Sequence, residues 1–87
     1  MSHAENPAIL KRLKRAEGHL RSIVTMVEEG RSCLDLAQQL HAVEAAVANA
    51  KKELIQHHIE HCLEENVGQG AGARALLGEL KVLSKYL

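Results

Sequence analysis

Two cysteines and one histidine are candidate metal ligands in this sequence: Cys33, His58 and Cys62. Thiolate sulfur and imidazole nitrogen are soft and borderline donors, so this set suits ions such as Cu(I), Ni(II) or Zn(II). All three residues lie in one stretch that contains no Gly and no Pro, between Gly30 on one side and Gly68 on the other. This punctuation predicts a single long helix that carries the three candidate ligands.

Helical geometry places the three candidate ligands in one sector but at opposite ends of this helix. His58 and Cys62 are four residues apart, so they lie one turn apart and can share an ion. Cys33 precedes His58 by 25 residues, which is roughly 37 Å along a helix axis. A second, antiparallel copy of the helix would bring its own Cys33 beside the pair, and two-fold symmetry then creates two equal sites. The spacing therefore predicts one ion per subunit, in a site shared between chains.

Length and composition limit the classes of protein that this chain can belong to. A chain of 87 residues is a single domain, 1–87. With 46% hydrophobic residues but no Trp and no Phe, its core consists of aliphatic side chains, which suits packing of helix on helix. No apolar run is long enough to span a membrane and no signal-peptide pattern appears, so we expect a cytoplasmic protein without a membrane partner.

Enzyme activity is not expected from this sequence. It has no Gly-rich phosphate loop and no Ser–His–Asp arrangement, and a site closed by cysteine ligands leaves little room for a small-molecule substrate. In the cytoplasm, two cysteines indicate metal binding or thiol chemistry rather than a structural disulfide.

The distribution of apolar residues, Gly and Pro predicts an all-α subunit of three helices with a long middle helix. The first runs from Ala8 to about Glu29 after an N-cap at Asn6, and the second from about Ser32 to Asn66. Segment 67–73 reads as a flexible break, and a third helix follows over 74–87. Two subunits would pair their first and second helices into an antiparallel four-helix bundle, and the third would cap it or join a dimer of dimers.

The first two helices each carry an apolar stripe, and the first also carries a basic face. The stripe residues are Ile9, Leu13, Ala16, Leu20, Ile23 and Val27 on the first helix, and Leu36, Leu40, Val43, Val47 and Leu54 on the second. A basic face is usually a solvated face, but here Glu17 is its only acid. It is therefore a candidate for phosphate contacts with double-stranded DNA. The candidate contacts are Arg12 and Arg15 first, then Lys11 and Lys14.

Several motifs resemble the family of small metal-sensing repressors that includes the copper-sensitive operon repressor, the nickel/cobalt efflux repressor and the formaldehyde repressor. The resemblance covers nearly the whole chain. It rests on RLKRAEGHL at 12–20, GRSC at 30–33, QQLHAV at 38–43 and the spacing of Cys33, His58 and Cys62. It implies a homodimer or homotetramer that represses transcription, releases operator DNA on binding metal and so switches on efflux or resistance genes. It also implies that Cys33 of one chain and His58 and Cys62 of another hold the ion.

The resemblance also bears on the choice of ion. Copper sensors of the family often have Tyr where this chain has Ser32, and nickel sensors add an N-terminal His, a role open to His3. His61 is the runner-up as a fourth ligand. These differences slightly favour Ni(II) or Co(II) over Cu(I), with Zn(II) also compatible.

One departure from the family concerns DNA. Family members often carry an Arg in the middle of the second helix that helps to hold DNA, and Glu44 stands at the aligned position here. Lys51 and Lys52 are candidates to compensate for it.

Two other functions use the same residues. Cys33 and Cys62 of two chains could form a disulfide or polysulfide bridge, which would make the protein a thiol or persulfide sensor. A metal buffer without a DNA role would need only the metal site.

Overall fold

The computed structural model describes residues 6–66 and 70–87, and these are almost entirely helical. Within these ranges there is no β-strand, as the sequence predicts. The all-α fold with three helices and a long middle helix is therefore confirmed. In chain order, the elements are α1 (Pro7–Glu28), α2 (Cys33–Asn66), α3 (Gly70–Leu83) and a 3₁₀ turn at Ser84–Tyr86.

The start of α1 follows from its first two residues. Asn6 is the N-cap, and its side-chain oxygen accepts a hydrogen bond from the backbone N–H of Ile9 at 3.3 Å. Pro7 follows at the first helical position, where a missing N–H and a fixed φ angle cost nothing. Both positions agree with the sequence prediction.

A tight glycine turn separates α1 from α2. Gly30 adopts a φ of +74°, a conformation that favours glycine because it has no Cβ. The N–H of Gly30 donates to the carbonyl of Val27, and that of Arg31 donates to the carbonyl of Met26, both at 3.1 Å. These two bonds form the Schellman motif, which satisfies carbonyls at the end of α1. The turn between the two helices needs few residues, so α2 begins at Cys33.

Ser32 is the N-cap of α2. Its hydroxyl oxygen accepts a hydrogen bond from the N–H of Asp35 at 3.2 Å, and its carbonyl accepts from the N–H of Leu36 at 3.0 Å. Ser32 therefore fixes the start of the helix at Cys33.

Replacing Ser32 with Ala should lower the free energy of unfolding by about 1 kcal/mol, because a backbone N–H at the helix start loses its acceptor. Urea denaturation followed by circular dichroism measures this change. Ser22→Ala is the matched control, since the Ser22 hydroxyl only donates to the Gly18 carbonyl within α1. Equal losses for the two variants would show that the cap contributes nothing specific.

The chain divides into two compact units, of which the first is Met1–Ala50. This unit contains α1 and the first half of α2. Its buried side chains come from both helices, and His19 Nε2 also lies 2.6 Å from Gln39 Oε1, a hydrogen bond between α1 and α2. The buried residues of this unit are Ile9, Ala16, Ile23, Val43 and Ala50.

Half of the predicted stripe on α1 is exposed in the single chain. Leu13, Leu20 and Val27 are 42%, 48% and 56% exposed. On α2, Val43 is buried, whereas Leu40 and Val47 are 47% and 45% exposed. Exposed apolar side chains that recur every seven residues form a stripe along a helix, and such a stripe is typical of a surface that meets a partner.

The second unit, Lys51–Leu87, contains the rest of α2, α3 and the 3₁₀ turn. Ile55 and Leu76 are its buried apolar residues. The prediction of a flexible break over 67–73 is wrong from Gly70 onward, because α3 begins there and not at Arg74. Alternating alanines support helix here despite the glycines. The remainder of that break, 67–69, lies outside the described residues.

No helix among the described residues combines the length and hydropathy that crossing a bilayer requires.

Candidate metal centre

His58 and Cys62 form the centre of the candidate metal site. Both lie on α2 and both are partly buried. Because they are four residues apart on a helix, their side chains meet, and Cys62 Sγ is 3.6 Å from His58 Nε2. Cys62 is not part of a disulfide. The sequence prediction that these two donors can share an ion therefore agrees with their placement.

Glu79 on α3 brings a third donor to this pair. Its carboxylate Oε1 contacts Nε2 of His58, in a hydrogen bond or ion pair according to the protonation of the ring. Donor atoms of His58, Cys62 and Glu79 all lie within 4.8 Å of one another. We name these three residues the HCE cluster. One thiolate, one imidazole and one carboxylate make a donor set that transition metals accept.

The sequence analysis missed Glu79. The available signal was an acidic residue among the leucines of the third helix, Leu76, Leu80, Leu83 and Leu87, of which Leu76 is buried. An acid beside a packed face can reach a neighbouring helix. Which residue it contacts depends on how α2 and α3 pack, and helical periodicity does not predict this packing.

The other predicted ligands are not part of the HCE cluster. Cys33 is an exposed free thiol at the first residue of α2. His61 directs Nδ1 towards Glu65 Oε1 at 3.3 Å. His3 lies outside the described residues. Their roles as ligands therefore stay predictions.

The predicted DNA contacts fall into two groups. Lys11, Arg12 and Arg15 line an open cleft of about 480 Å³ in the first unit, and Lys14 does not. We call this feature the basic cleft; its remaining lining residues are Ala8, Ala16, His19, Ala46 and Asn49. The four predicted contacts on α1 are all exposed, as is Lys52 on α2, and exposure is what phosphate contacts require.

Glu44 is exposed on α2 and is absent from the lining of the basic cleft. Within the described residues, the cleft therefore has a cationic lining without a carboxylate. A helical subunit with a thiol–imidazole pair at one place and a cationic cleft at another has the features of a small metal-sensing regulator of transcription.

Comparison with known proteins agrees with this class. The family model described as metal-sensitive transcriptional repressor matches residues 5–85. The copper-sensing transcriptional repressor CsoR of Bacillus subtilis is 39% identical over 85 residues, which cover 98% of this chain and 84% of that protein. The copper-sensing transcriptional repressor RicR of Mycobacterium tuberculosis is 39% identical over 70 residues, covering 79% of this chain and 73% of RicR.

Two solved structures share the fold. The nickel-responsive transcriptional regulator InrS superposes with a TM-score of 0.79 at 30% identity, covering 100% of this chain and 94% of InrS. The copper-sensing repressor CsoR with Cu(I) from Geobacillus thermodenitrificans also gives a TM-score of 0.79, at 32% identity, covering 99% of this chain and 90% of that one.

The chain belongs to the metal-sensitive transcriptional repressor family. It is therefore a metal-sensing repressor of transcription and not an enzyme, as the sequence analysis predicts.

Proposed function

We propose that the metal-free protein binds operator DNA, and that binding of a metal ion at Cys33, His58 and Cys62 releases the DNA and switches on efflux or resistance genes. The observation that carries this proposal is the meeting of the His58 ring and the Cys62 thiol, 3.6 Å apart, in a chain of this family. This pair supplies two of the three proposed ligands from one helix.

The third ligand would come from a second chain. α2 extends from Cys33 to Asn66 as one helix, so roughly 37 Å of helix separates Cys33 from His58. An antiparallel partner helix would place its Cys33 beside His58 and Cys62. The exposed leucines and valines of α1 and α2 support such pairing, because a dimer would remove them from water.

Cu(I) is the ion that we propose to test first. Two thiolates and one imidazole suit this soft ion, and the curated relatives compared above are copper-sensing repressors. The slight preference for Ni(II) or Co(II) in the sequence analysis depended on His3, which lies outside the described residues, and on Ser32. The comparisons do not support that preference. Ni(II) is the next ion to test, because InrS is a nickel-responsive regulator.

The contact between His58 and Glu79 offers a route from the metal site to the rest of the protein. Nε2 of His58 faces both the Cys62 sulfur and the Glu79 carboxylate. His58 and Cys62 would hold the ion, which would supply positive charge beside these donors and so change which partner the His58 ring can keep. Since Glu79 is on α3 and His58 on α2, this exchange would alter the packing of the two helices, and so the spacing of basic clefts in the oligomer.

Operator release should be visible as fluorescence anisotropy of a labelled duplex that the metal-free protein has selected from a random-sequence pool. Cu(I) should weaken binding by about 5–150-fold, which corresponds to a coupling free energy of 1–3 kcal/mol. By linkage, the duplex should weaken Cu(I) binding by the same factor. The Cys33→Ser/Cys62→Ser variant should bind the duplex without responding to Cu(I). Equal Cu(I) affinity with and without the duplex would refute the coupling.

The exposed free thiol of Cys33 supports a second candidate function, that of a thiol or persulfide sensor. A bridge between Cys33 and the Cys62 of another chain would use the same antiparallel arrangement but would not need His58. A His58→Ala protein that still released the duplex on addition of polysulfide would therefore favour this alternative. A wild-type protein that selected no duplex at all would favour a metal buffer.

A further inference from the structure

A pair of histidines lies on α2, one position before each member of the His58–Cys62 pair. His57 and His61 are four residues apart, so they occupy neighbouring turns on a face offset by about 100° from His58 and Cys62. Their ring centroids are 6.3 Å apart and their planes are inclined by 56°. His57 is exposed and His61 is partly buried.

Each histidine of this pair has a glutamate one helical turn away, on the side that faces away from the other histidine in the sequence. Glu53 precedes His57 by four residues, and Glu65 follows His61 by four. The carboxylate Oε1 of Glu65 lies 3.3 Å from His61 Nδ1. This Nδ1 is buried and makes no hydrogen bond among the described residues, so either nitrogen of the His61 ring can serve as a metal ligand. The order Glu–His–His–Glu therefore places two imidazoles between two carboxylates that can supply further oxygen donors to an ion.

The distance between the rings is compatible with a shared ion. Two imidazole nitrogens bound to one zinc ion, each at about 2.0–2.1 Å, are at most about 4.2 Å apart. Rings whose centroids are 6.3 Å apart reach this separation through side-chain rotation, and His57 is exposed and so has room to rotate. Histidines at positions i and i+4 of a helix are an established zinc-binding arrangement in proteins.

We propose that His57 and His61 form a second metal site, specific for divalent borderline ions such as Zn(II), Ni(II) and Co(II). This site contains no sulfur, so the soft Cu(I) ion should prefer the cysteines, whereas divalent ions can occupy the nitrogen and oxygen donors. It is separate from the HCE cluster, which uses His58, Cys62 and Glu79. It does not depend on operator binding or on Cys33.

The test uses full-length Cys33→Ser/Cys62→Ser/His3→Ala protein, which lacks the cysteine ligands and the N-terminal imidazole. Calorimetric titration with Zn(II) should show one ion per chain. His57→Ala and His61→Ala, each added to this background, should weaken Zn(II) binding at least about tenfold, because each removes one of two imidazole ligands. The matched control is His41→Ala, which removes an exposed histidine elsewhere on α2 and should leave Zn(II) binding unchanged.

His58→Ala in the same background separates the second site from the HCE cluster, and should also leave Zn(II) affinity unchanged. Loss of binding in that variant would overturn the proposal. So would an affinity of the His57→Ala and His61→Ala proteins equal to that of the background protein, or no Zn(II) binding by the background protein at all. Wild-type protein alkylated at both cysteines provides a second background, should the triple variant lose helicity. Since the readout lacks both DNA and the cysteine ligands, failure here leaves operator release by Cu(I) untouched.

Discussion

A mixture of Cys33→Ser and Cys62→Ser chains will bind Cu(I), although each variant alone will have lost it. If each site takes Cys33 from one chain and His58 with Cys62 from the other, a mixed dimer contains one intact site and one site that lacks both thiols. Random pairing makes half of the dimers mixed, so the mixture should regain about one quarter of the wild-type capacity. Co-refolding of equal amounts, followed by competition with a Cu(I) chelator, measures this capacity.

The variants on their own should bind Cu(I) at least about a hundredfold more weakly than wild type, because loss of a group that merely supports a ligand already costs 10–100-fold. A mixture of Cys62→Ser with His58→Ala is the matched control. Both changes fall on the same side of the shared site, so every mixed dimer keeps two damaged sites and capacity should stay absent. Recovery in neither mixture would mean that each site belongs to one chain.

Reversing the charge of Arg15 will reduce operator affinity. Arg15 is exposed and lines the basic cleft with Lys11 and Arg12, so the Arg15→Glu change puts a carboxylate where a phosphate would lie. We expect at least about a tenfold loss at low salt, and a plot of log affinity against log salt concentration that is less steep by about two, since a dimer contains two copies. Fluorescence anisotropy at several salt concentrations measures both quantities.

Lys85→Glu is the control for Arg15→Glu, because it makes the same change in net charge at an exposed residue of the 3₁₀ turn. It should leave the salt dependence close to that of wild type. Lys14→Glu should have an intermediate effect, since Lys14 is on α1 but does not line the cleft. Indistinguishable behaviour of all three variants would show that only net charge matters and that the basic cleft is not a DNA contact.

Local sequence signals predicted the helices well where the chain has clear stops and starts. Asn6, Gly30 and Ser32 each act within a few residues, through a cap or a positive φ angle, so their effects can be read from the sequence. The start of α3 could not be read in this way. Its glycines suggested a break, but glycine only lowers helix stability by about 1 kcal/mol, and tertiary packing can offset that amount.

In the candidate site, too, contacts within one helix could be predicted from the sequence, whereas contacts between helices could not. His58 and Cys62 are close because of helical periodicity, and the sequence predicted their contact. Glu79 reaches them from another helix, 21 residues after His58, and that contact depends on how α2 and α3 pack. For the same reason, the apolar stripes identified which residues favour burial but not which ones the single chain would bury.

The glycine turn before α2 has a consequence for the sensitivity of the protein. Cys33 is exposed, yet it stands three residues after a backbone conformation fixed at Gly30 and directly after the cap at Ser32. A thiol on a flexible loop would lose conformational entropy each time it bound an ion, and this one has already lost much of it on folding. In the proposed site, the metal concentration at which the repressor responds would thus depend partly on a backbone turn that contacts no ion.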